Sequence, residues 1–562
     1  ISHVVALFLA LASASALTAE SAPVPAQVVS VAQAEITKPV LEAPIRYLAD
    51  DLLEGRGPAT RGDQLARLYL ATQLEMLGYA PGGTNGSYQQ PFDIVGTHAQ
   101  MPEKWSFATK GQTVDLKWSD DYIAGSGVQE EQGAIKDAEL VFVGYGIEAP
   151  EFKWDDYKGQ NLKGKVFVML NNDPDWDPNL FAGKTRLYYG RWTYKYEIAA
   201  RKGAAAVIIV HTRDSAGYPW QVVQTSWGGT QFELPAESEP RVQLRGWATE
   251  DAMRRLLKTA GYDLDKLTQS AHSRKFKPVT LGIRTSLSFR NTVEHSKTGN
   301  VAGVLKGSDP KLSSEVVVYS AHLDHLGIAD AKPGDAKDLD RIYNGAEDNA
   351  SGCAQVLAVA RAMAALPERP RRTTLILFVG MEEQGLLGSE YYAKHPTFAP
   401  GEFAANINID GGNFLGRARD IGQVGGGKSS LDAVARSVLQ WQGRTMTNDQ
   451  FPDRGHFYRS DQFNFAKIGV PALYFDTGSD IVGKPAGWGR ERKVEWEEKD
   501  YHQPSDQIND SWNFDGMIDD AQFYFYTGWL IGQAEAMPTW NAGDEFEATR
   551  KKALAAAMGG QT

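Results

Sequence analysis

Cysteine is nearly missing from this chain: Cys353 stands alone among 562 residues. No internal disulfide can form, so the folded state is not stapled covalently. Cys353 follows Ser351 and Gly352 at the head of an Ala/Val/Leu-rich helical stretch, and reads as a small core residue, not a nucleophile. Basic charge is also short, with 58 Lys and Arg against 70 Asp and Glu and a formal net charge of -12. Nucleic-acid binding, which rests on neutralising phosphates, is not expected. Nor does any segment reach the ~20 apolar residues of a spanning helix, so no stable membrane insertion is expected. The apolar stretch 1–16 is shorter and ends in Ala14-Ser15-Ala16, the pattern of a cleaved export signal, although no charged region precedes it. Residues 1–22 are expected to be a signal peptide and the protein secreted or periplasmic. Two catalytic signatures are missing as well. No H-E-x-x-H and no G-x-S-x-G occurs, which excludes the common helix-borne zinc site and argues against the usual serine-hydrolase elbow. Gly422 to Ser429 does match the phosphate-loop spacing, but the R-A-R-D-I before it is no convincing buried strand. Helix capping by Ser429 or Ser430 is the reading.

What is present is an ordinary globular balance, 42% hydrophobic and 23% charged, in a chain long enough for about two or three domains. Residues 22–38, rich in Ala, Pro and Val, read as an export tail or linker. The stretch 64–77 has helical spacing, with Leu65, Leu68, Tyr69 and Met76 on one face and Leu70, Leu74 and Leu77 on the next. It is expected to be well buried, with Gly78 as its C-terminal cap. Between 121 and 288 strand-like runs dominate (138–145, 163–170, 204–210), with one helix near 196–202. From about residue 300 apolar runs at 315–320, 373–379, 404–409 and 470–475 alternate with helical segments at 350–366 and 431–441. That alternation is the pattern of an α/β layer fold with a mostly parallel sheet.

Chemistry gathers where these strands end. The first is followed by A-H-L-D-H (His322, Asp324, His325), the second by G-M-E-E-Q-G (Glu382, Glu383), the third by Asp410. In an open α/β sheet the carboxyl ends of neighbouring strands share one crevice. N-G-A-E-D-N-A-S-G adds Asp348 in a loop that opens a helix, and D-Y-H-Q-P-S-D adds His502. Two His with Asp and Glu, and no thiolate, suit a pair of divalent ions; Zn fits best, with Mn or Co possible.

In this order the motifs A-H-L-D, G-A-E-D-N-A-S-G, M-E-E-Q-G, N-I-D-G and Y-H-Q-P-S-D resemble the series of the M28 zinc aminopeptidases. L-L-E-G-R-G near Gly55 and R-S-D-Q near Ser460 are similar flanks. The 141–210 stretch resembles a protease-associated (PA) domain inserted in several exopeptidases. The resemblance implies a zinc-exopeptidase-like three-layer α/β sandwich with a mostly parallel central sheet and an inserted β-rich PA domain. Expected boundaries are 40–120 and 289–545 for the catalytic part, 121–288 for the insert and 546–562 for a tail. It further implies two Zn2+ bridged by Asp348, one also held by Glu383 and His502, the other by His322 and Asp410. Glu382 would be the general base for a water held between the ions, and Asp324 would fix the tautomer of His322. Tyr501 and Tyr458 both neighbour these motifs as candidate donors to the oxyanion, Asp461 reads as a pocket-wall or structural carboxylate, and His325 receives no role. The expected activity is release of N-terminal residues from a peptide substrate. Glutamate carboxypeptidase-like or dipeptidase activity is the alternative, for which Arg459, Arg490 and Arg492 keep a carboxylate pocket open. A receptor-like binding protein on the same plan is a further alternative, against which the retained ligands speak.

Overall fold

The computed structural model describes residues 24–559 except Gly217, Lys332, Pro333 and Asp335, so the expected signal segment lies outside the described residues. Among the described residues no helix is long and apolar enough to cross a membrane. The architecture hangs on one strand, Val279–Leu305, of 27 residues. Its first half alternates buried and exposed positions, one face on a core and one in water; its last residues, V-A-G-V-L, are covered on both faces. The first half pairs with Gln132–Phe142, the middle with Gln89–Gln100, and the end with Thr373–Val379. Two layered units thus share one continuous backbone.

In the C-terminal unit, Thr373–Val379, Val316–His322, Phe403–Asn408 and Ala472–Asp476 run parallel in that spatial order. Each lies within two residues of a strand expected from the apolar runs. The sheet as a whole is mixed: Val279–Leu305 pairs antiparallel on one side, and Asp420–Val424 pairs antiparallel with Ala472–Asp476 on the other. The mostly parallel expectation therefore describes the centre and not the flanks, where neither antiparallel strand needs a helical crossover. Helix Gly352–Ala365 is buried almost all round between this sheet and helices Ala26–Glu35, Lys38–Leu48 and Asp515–Gln533. In the other unit, Gln132–Phe142, Val166–Leu170, Ala206–His211 and Leu244–Thr249 run parallel, closed by antiparallel Tyr122–Ser126. Its apolar cluster draws on residues 105–289 and is separate from the one around Gly352–Ala365.

Two expectations about the N-terminal segment need correction. Ala26–Glu35, expected within a linker, is a helix whose Val28 and Ala32 are buried, with Ile36 behind them, and Glu35 pairs with Arg361 at 2.6 Å. Helix Arg61–Met76 is buried along Ala66, Leu70 and Leu74, whereas Leu68 and Met76 are 61% and 76% exposed. Leu74 wins because it packs against the backbone of Gly303, where a Cβ would lie 2.9 Å from the leucine methyl. Gly78 ends the helix as expected, with φ 79° and the Tyr79 N–H donating to the Leu74 carbonyl. Leu74→Ala should therefore cost about 2–5 kcal/mol, and Leu68→Ala under ~0.5 kcal/mol. Urea denaturation of the two variants checks this, and equal midpoints would contradict the assigned face.

Candidate metal centre

Three parallel strands deliver their carboxyl ends to one edge. His322 is the last residue of Val316–His322, Glu382 and Glu383 follow Thr373–Val379, and Asp410 follows Phe403–Asn408. Asp348 comes from the turn before Gly352–Ala365, and His502 from the loop after Trp488–Lys499. The Asp348 carboxylate stands between the two histidines. Its Oδ1 is 3.1 Å from His322 Nε2 and its Oδ2 is 3.2 Å from His502 Nε2. His322 Nε2 is also 3.1 Å from Asp410 Oδ1, and His502 Nε2 is 3.0 Å from Glu383 Oε2. Glu382 Oε2 lies 4.0 Å from His322. Ligand atoms of His322, Asp348 and Glu383 fall within 4.8 Å of one another, a cluster able to hold a metal ion. The donors fit one. Ligands at ~2.0–2.1 Å around a tetrahedral zinc stand about 3.3 Å apart, close to the spacings here. His502 Nε2 is moreover buried without a hydrogen-bond partner among these carboxylates.

A surrounding layer fixes these groups. His322 Nδ1 lies 3.3 Å from the carbonyl oxygen of Asp324. A carbonyl only accepts, so the ring proton stays on Nδ1 and Nε2 keeps its lone pair for the cluster. The Asp324 carboxylate, 3.8 Å from that ring, instead accepts the N–H groups of Glu382 (3.1 Å) and Glu383 (3.3 Å). Asp506 does the same for Glu347 and Asp348, at 2.9 and 3.1 Å. Ser460 donates to Asp410 Oδ2 at 2.5 Å. His325, which the motifs left without a role, donates from Nδ1 to Glu383 Oε1 at 2.7 Å and so turns Oε2 toward His502. Arg56, in the L-L-E-G-R-G stretch, is 1% exposed and donates to the carbonyls of Leu48, Leu323, Asn344 and Gly345. It ties the His322 loop to the Asp348 loop. Sequence alone offered only its proximity to a glycine-rich motif. Cys353 is buried and points at the His322 carbonyl, in keeping with a packing role.

The tyrosines separate. Tyr458 is buried among Phe457, Phe463 and Phe546, and its hydroxyl is bound to Glu545 at 2.5 Å. Tyr501 stacks on His502 with ring centroids 3.9 Å apart. Asp461 is fully buried and accepts from Ser389, beside but not within the cluster. Lys428 of the phosphate-loop-like segment is bridged to Asp544 and Glu545, so its charge is already met.

Without metal, burial opposes charge on every group and the carboxylate–imidazole pairs decide the outcome. Burial disfavours the His322 and His502 cations, yet the surrounding carboxylates outweigh it: His322 is held well above the usual range and His502 is pushed up to about 10. Burial raises Asp348 and Glu383, but the histidines more than reverse it, holding Asp348 well below the usual range and Glu383 down to about 2. Burial, with Asp410 and Glu383 nearby, lifts Glu382 well above its usual range against the pull of His322.

Residues 300–525 match the model of peptidase family M28, and the whole cluster falls within that segment. A "Probable zinc metalloprotease" of Pyricularia oryzae is 30% identical over 187 residues, 33% of this chain and 31% of that protein. A "Vacuolar membrane protease" of Verticillium alfalfae is 36% identical over 75 residues, 13% of this chain and 7% of that protein. The chain thus matches about a third or less of the length of these curated relatives. Among solved structures, the aminopeptidase from Aneurinibacillus sp. strain AM-1 aligns with 89% of this chain and 95% of its own, at 18% identity and a TM-score of 0.47. A peptidase M28 precursor from Shewanella amazonensis aligns with 92% and 97%, at 16% identity and a TM-score of 0.42.

Two outcomes are expected. Metal loading of the metal-free protein at pH 7 should release about two protons or more, because both imidazoles must surrender theirs, and affinity should fall as pH drops. Calorimetry in buffers of different ionisation enthalpy measures this; a heat independent of buffer would contradict it. Arg56→Met should lower metal affinity about 10–100-fold by freeing both loops, read by competition with a chromophoric chelator. Unchanged affinity in the folded variant would remove Arg56 from this role.

Proposed function

We propose that the chain is a secreted or periplasmic di-zinc exopeptidase that removes N-terminal residues from peptides. The observation that carries the reading is the division of one carboxylate between two imidazoles: Asp348 Oδ1 toward His322 with Asp410, Oδ2 toward His502 with Glu383. That division supports a reading of two half-sites with a shared ligand. His322, Asp410 and Asp348 would hold one ion, and Glu383, His502 and Asp348 the other. Bound zinc would supply Lewis-acid polarisation of the scissile carbonyl and acidify the attacking water.

The remaining work belongs to the chain's own side chains. Glu382 lies near the cluster but is assigned to neither ion, so its carboxylate is free to take a proton from the attacking water and pass it to the leaving amine. Asp324 sets its position by accepting its backbone N–H. Tyr501, stacked on His502, would donate to the oxygen that gains charge, a reading supported by the Tyr458 hydroxyl being taken by Glu545. The unit formed by residues 105–289 is read as a PA-type accessory domain that borders the substrate path.

Elemental analysis of the purified protein should return about two zinc per chain. Glu382→Ala should keep the metal and lose about 10²–10⁴ in kcat on leucine p-nitroanilide. One zinc per chain would reduce the site to a single ion. Full activity in Glu382→Ala would assign the base elsewhere.

A further inference from the structure

Helix Arg61–Met76 has a second face that the fold leaves uncovered. Ala66, Leu70 and Leu74 are buried, while Arg61, Leu68, Thr72, Glu75 and Met76 are exposed and Leu65 is half-buried. At about 100° per residue these six outer positions fall within one arc of roughly 100°, so they form a continuous strip along the helix. Tyr69 extends the strip at its edge and stacks on the exposed Tyr47, with ring centroids 4.1 Å apart. An exposed apolar strip edged by polar groups is the mark of an interaction surface.

The charges of the strip say what fits it. Arg61, Leu68 and Glu75 follow one another at seven-residue spacing, two helical turns, so they stand in line with the leucine midway between a cation and an anion. Among the described residues neither Arg61 nor Glu75 has an ion-pair partner. Other charges nearby are met within the chain, Arg67 by Asp63 at 3.0 Å and Arg46 by Glu42 at 2.6 Å. Laid antiparallel against itself about a two-fold axis through Leu68, the helix sets each Arg61 opposite the Glu75 of the second copy and Leu68 against Leu68. Gln64 then faces Thr72, whose hydroxyl donates to the Leu68 carbonyl at 2.8 Å and can still accept. A parallel copy would instead set like charges together at both ends. A two-fold contact needs one patch that complements itself, and this strip does.

We propose that the chain self-associates through this strip into a two-fold dimer, with helix Arg61–Met76 packed antiparallel on its copy. A single helix pair belongs at the small end of specific interfaces, below about 1,200 Å², so the dimer is reversible and depends on concentration. It is independent of the metal centre and of the peptidase reading.

Sedimentation equilibrium of the full chain at low ionic strength, over a range of concentrations, tests this. The mass should rise from one chain toward two. Arg61→Glu or Glu75→Arg alone sets like charges opposite each other at both ends and should weaken association roughly tenfold. The two combined recreate the pairs in reverse and should recover most of the affinity, a rescue that a merely damaged fold would not show. Leu68→Asp should leave the chain monomeric. Because Cys353 is buried, Leu68→Cys carries the one accessible thiol, and mild oxidation should link two copies through it. Gln112→Cys, exposed at a hairpin of the other unit, should not link. A chain monomeric at every concentration, a dimer indifferent to Leu68→Asp and to both charge changes, or equal linking of the two cysteine variants overturns the proposal. A monomer whose Leu68→Cys thiol resists a maleimide has the strip covered by another segment of its own chain, which overturns it as well.

Discussion

The geometry of this protein turns on the Asp348 carboxylate, whose two oxygens each face a different imidazole. Around it Asp410, Glu382, Glu383 and Asp324 are gathered in a largely water-excluded pocket. Buried like charges at such spacing cannot all remain ionised without cations among them. The metal-free site meets the demand with protonated histidines, which is why His502 is lifted to about 10 while Glu383 falls to about 2. Divalent ions would meet it with the histidines neutral. The same arrangement that makes the site hold protons therefore makes it hold metal, and the two compete for the same lone pairs.

The fold supplies this concentration of charge from rigid parts. Parallel strands end together, so one edge of the sheet receives His322, Glu382, Glu383 and Asp410 without any long excursion of the chain. What the strands cannot do is set the loops between them. That task falls to backbone contacts: Asp324 and Asp506 each take two consecutive N–H groups, and Arg56 gathers four carbonyls from separate loops. A ligand held by its own main chain loses little rotational freedom when the ion enters.

This division explains what the sequence could reveal. His322, Glu382, Glu383 and Asp410 were legible because polar groups directly after apolar strands are costly to place unless used, Asp348 and His502 because their motifs resemble those of the M28 series, and all six do come together. Arg56 was not legible, because its partners are carbonyls, which carry no residue identity, and two of them lie more than 280 residues away. His325 was passed over for the related reason that only the fold turns its ring toward Glu383. Helix Arg61–Met76 shows the limit of periodicity: several leucines satisfied the spacing, and the bare backbone of Gly303 selected Leu74. Ala26–Glu35 was read as a linker because Ala and Val there have no clear period; its helix is secured by tertiary packing of Val28 and Ala32.

The tyrosines carry the argument to the seam between the units. Tyr458 and Tyr501 both neighbour site motifs, and local sequence treats them alike. Tyr458 belongs to an aromatic cluster that also receives Tyr188 from the accessory unit, and its hydroxyl is committed to Glu545. It therefore helps join the units. Tyr501 stacks on His502, a member of the cluster. A packed aromatic contact resists sliding more than a wet polar one does, so the Tyr188–Tyr458–Phe463 contact holds segment 186–192 in register with residues 452–463.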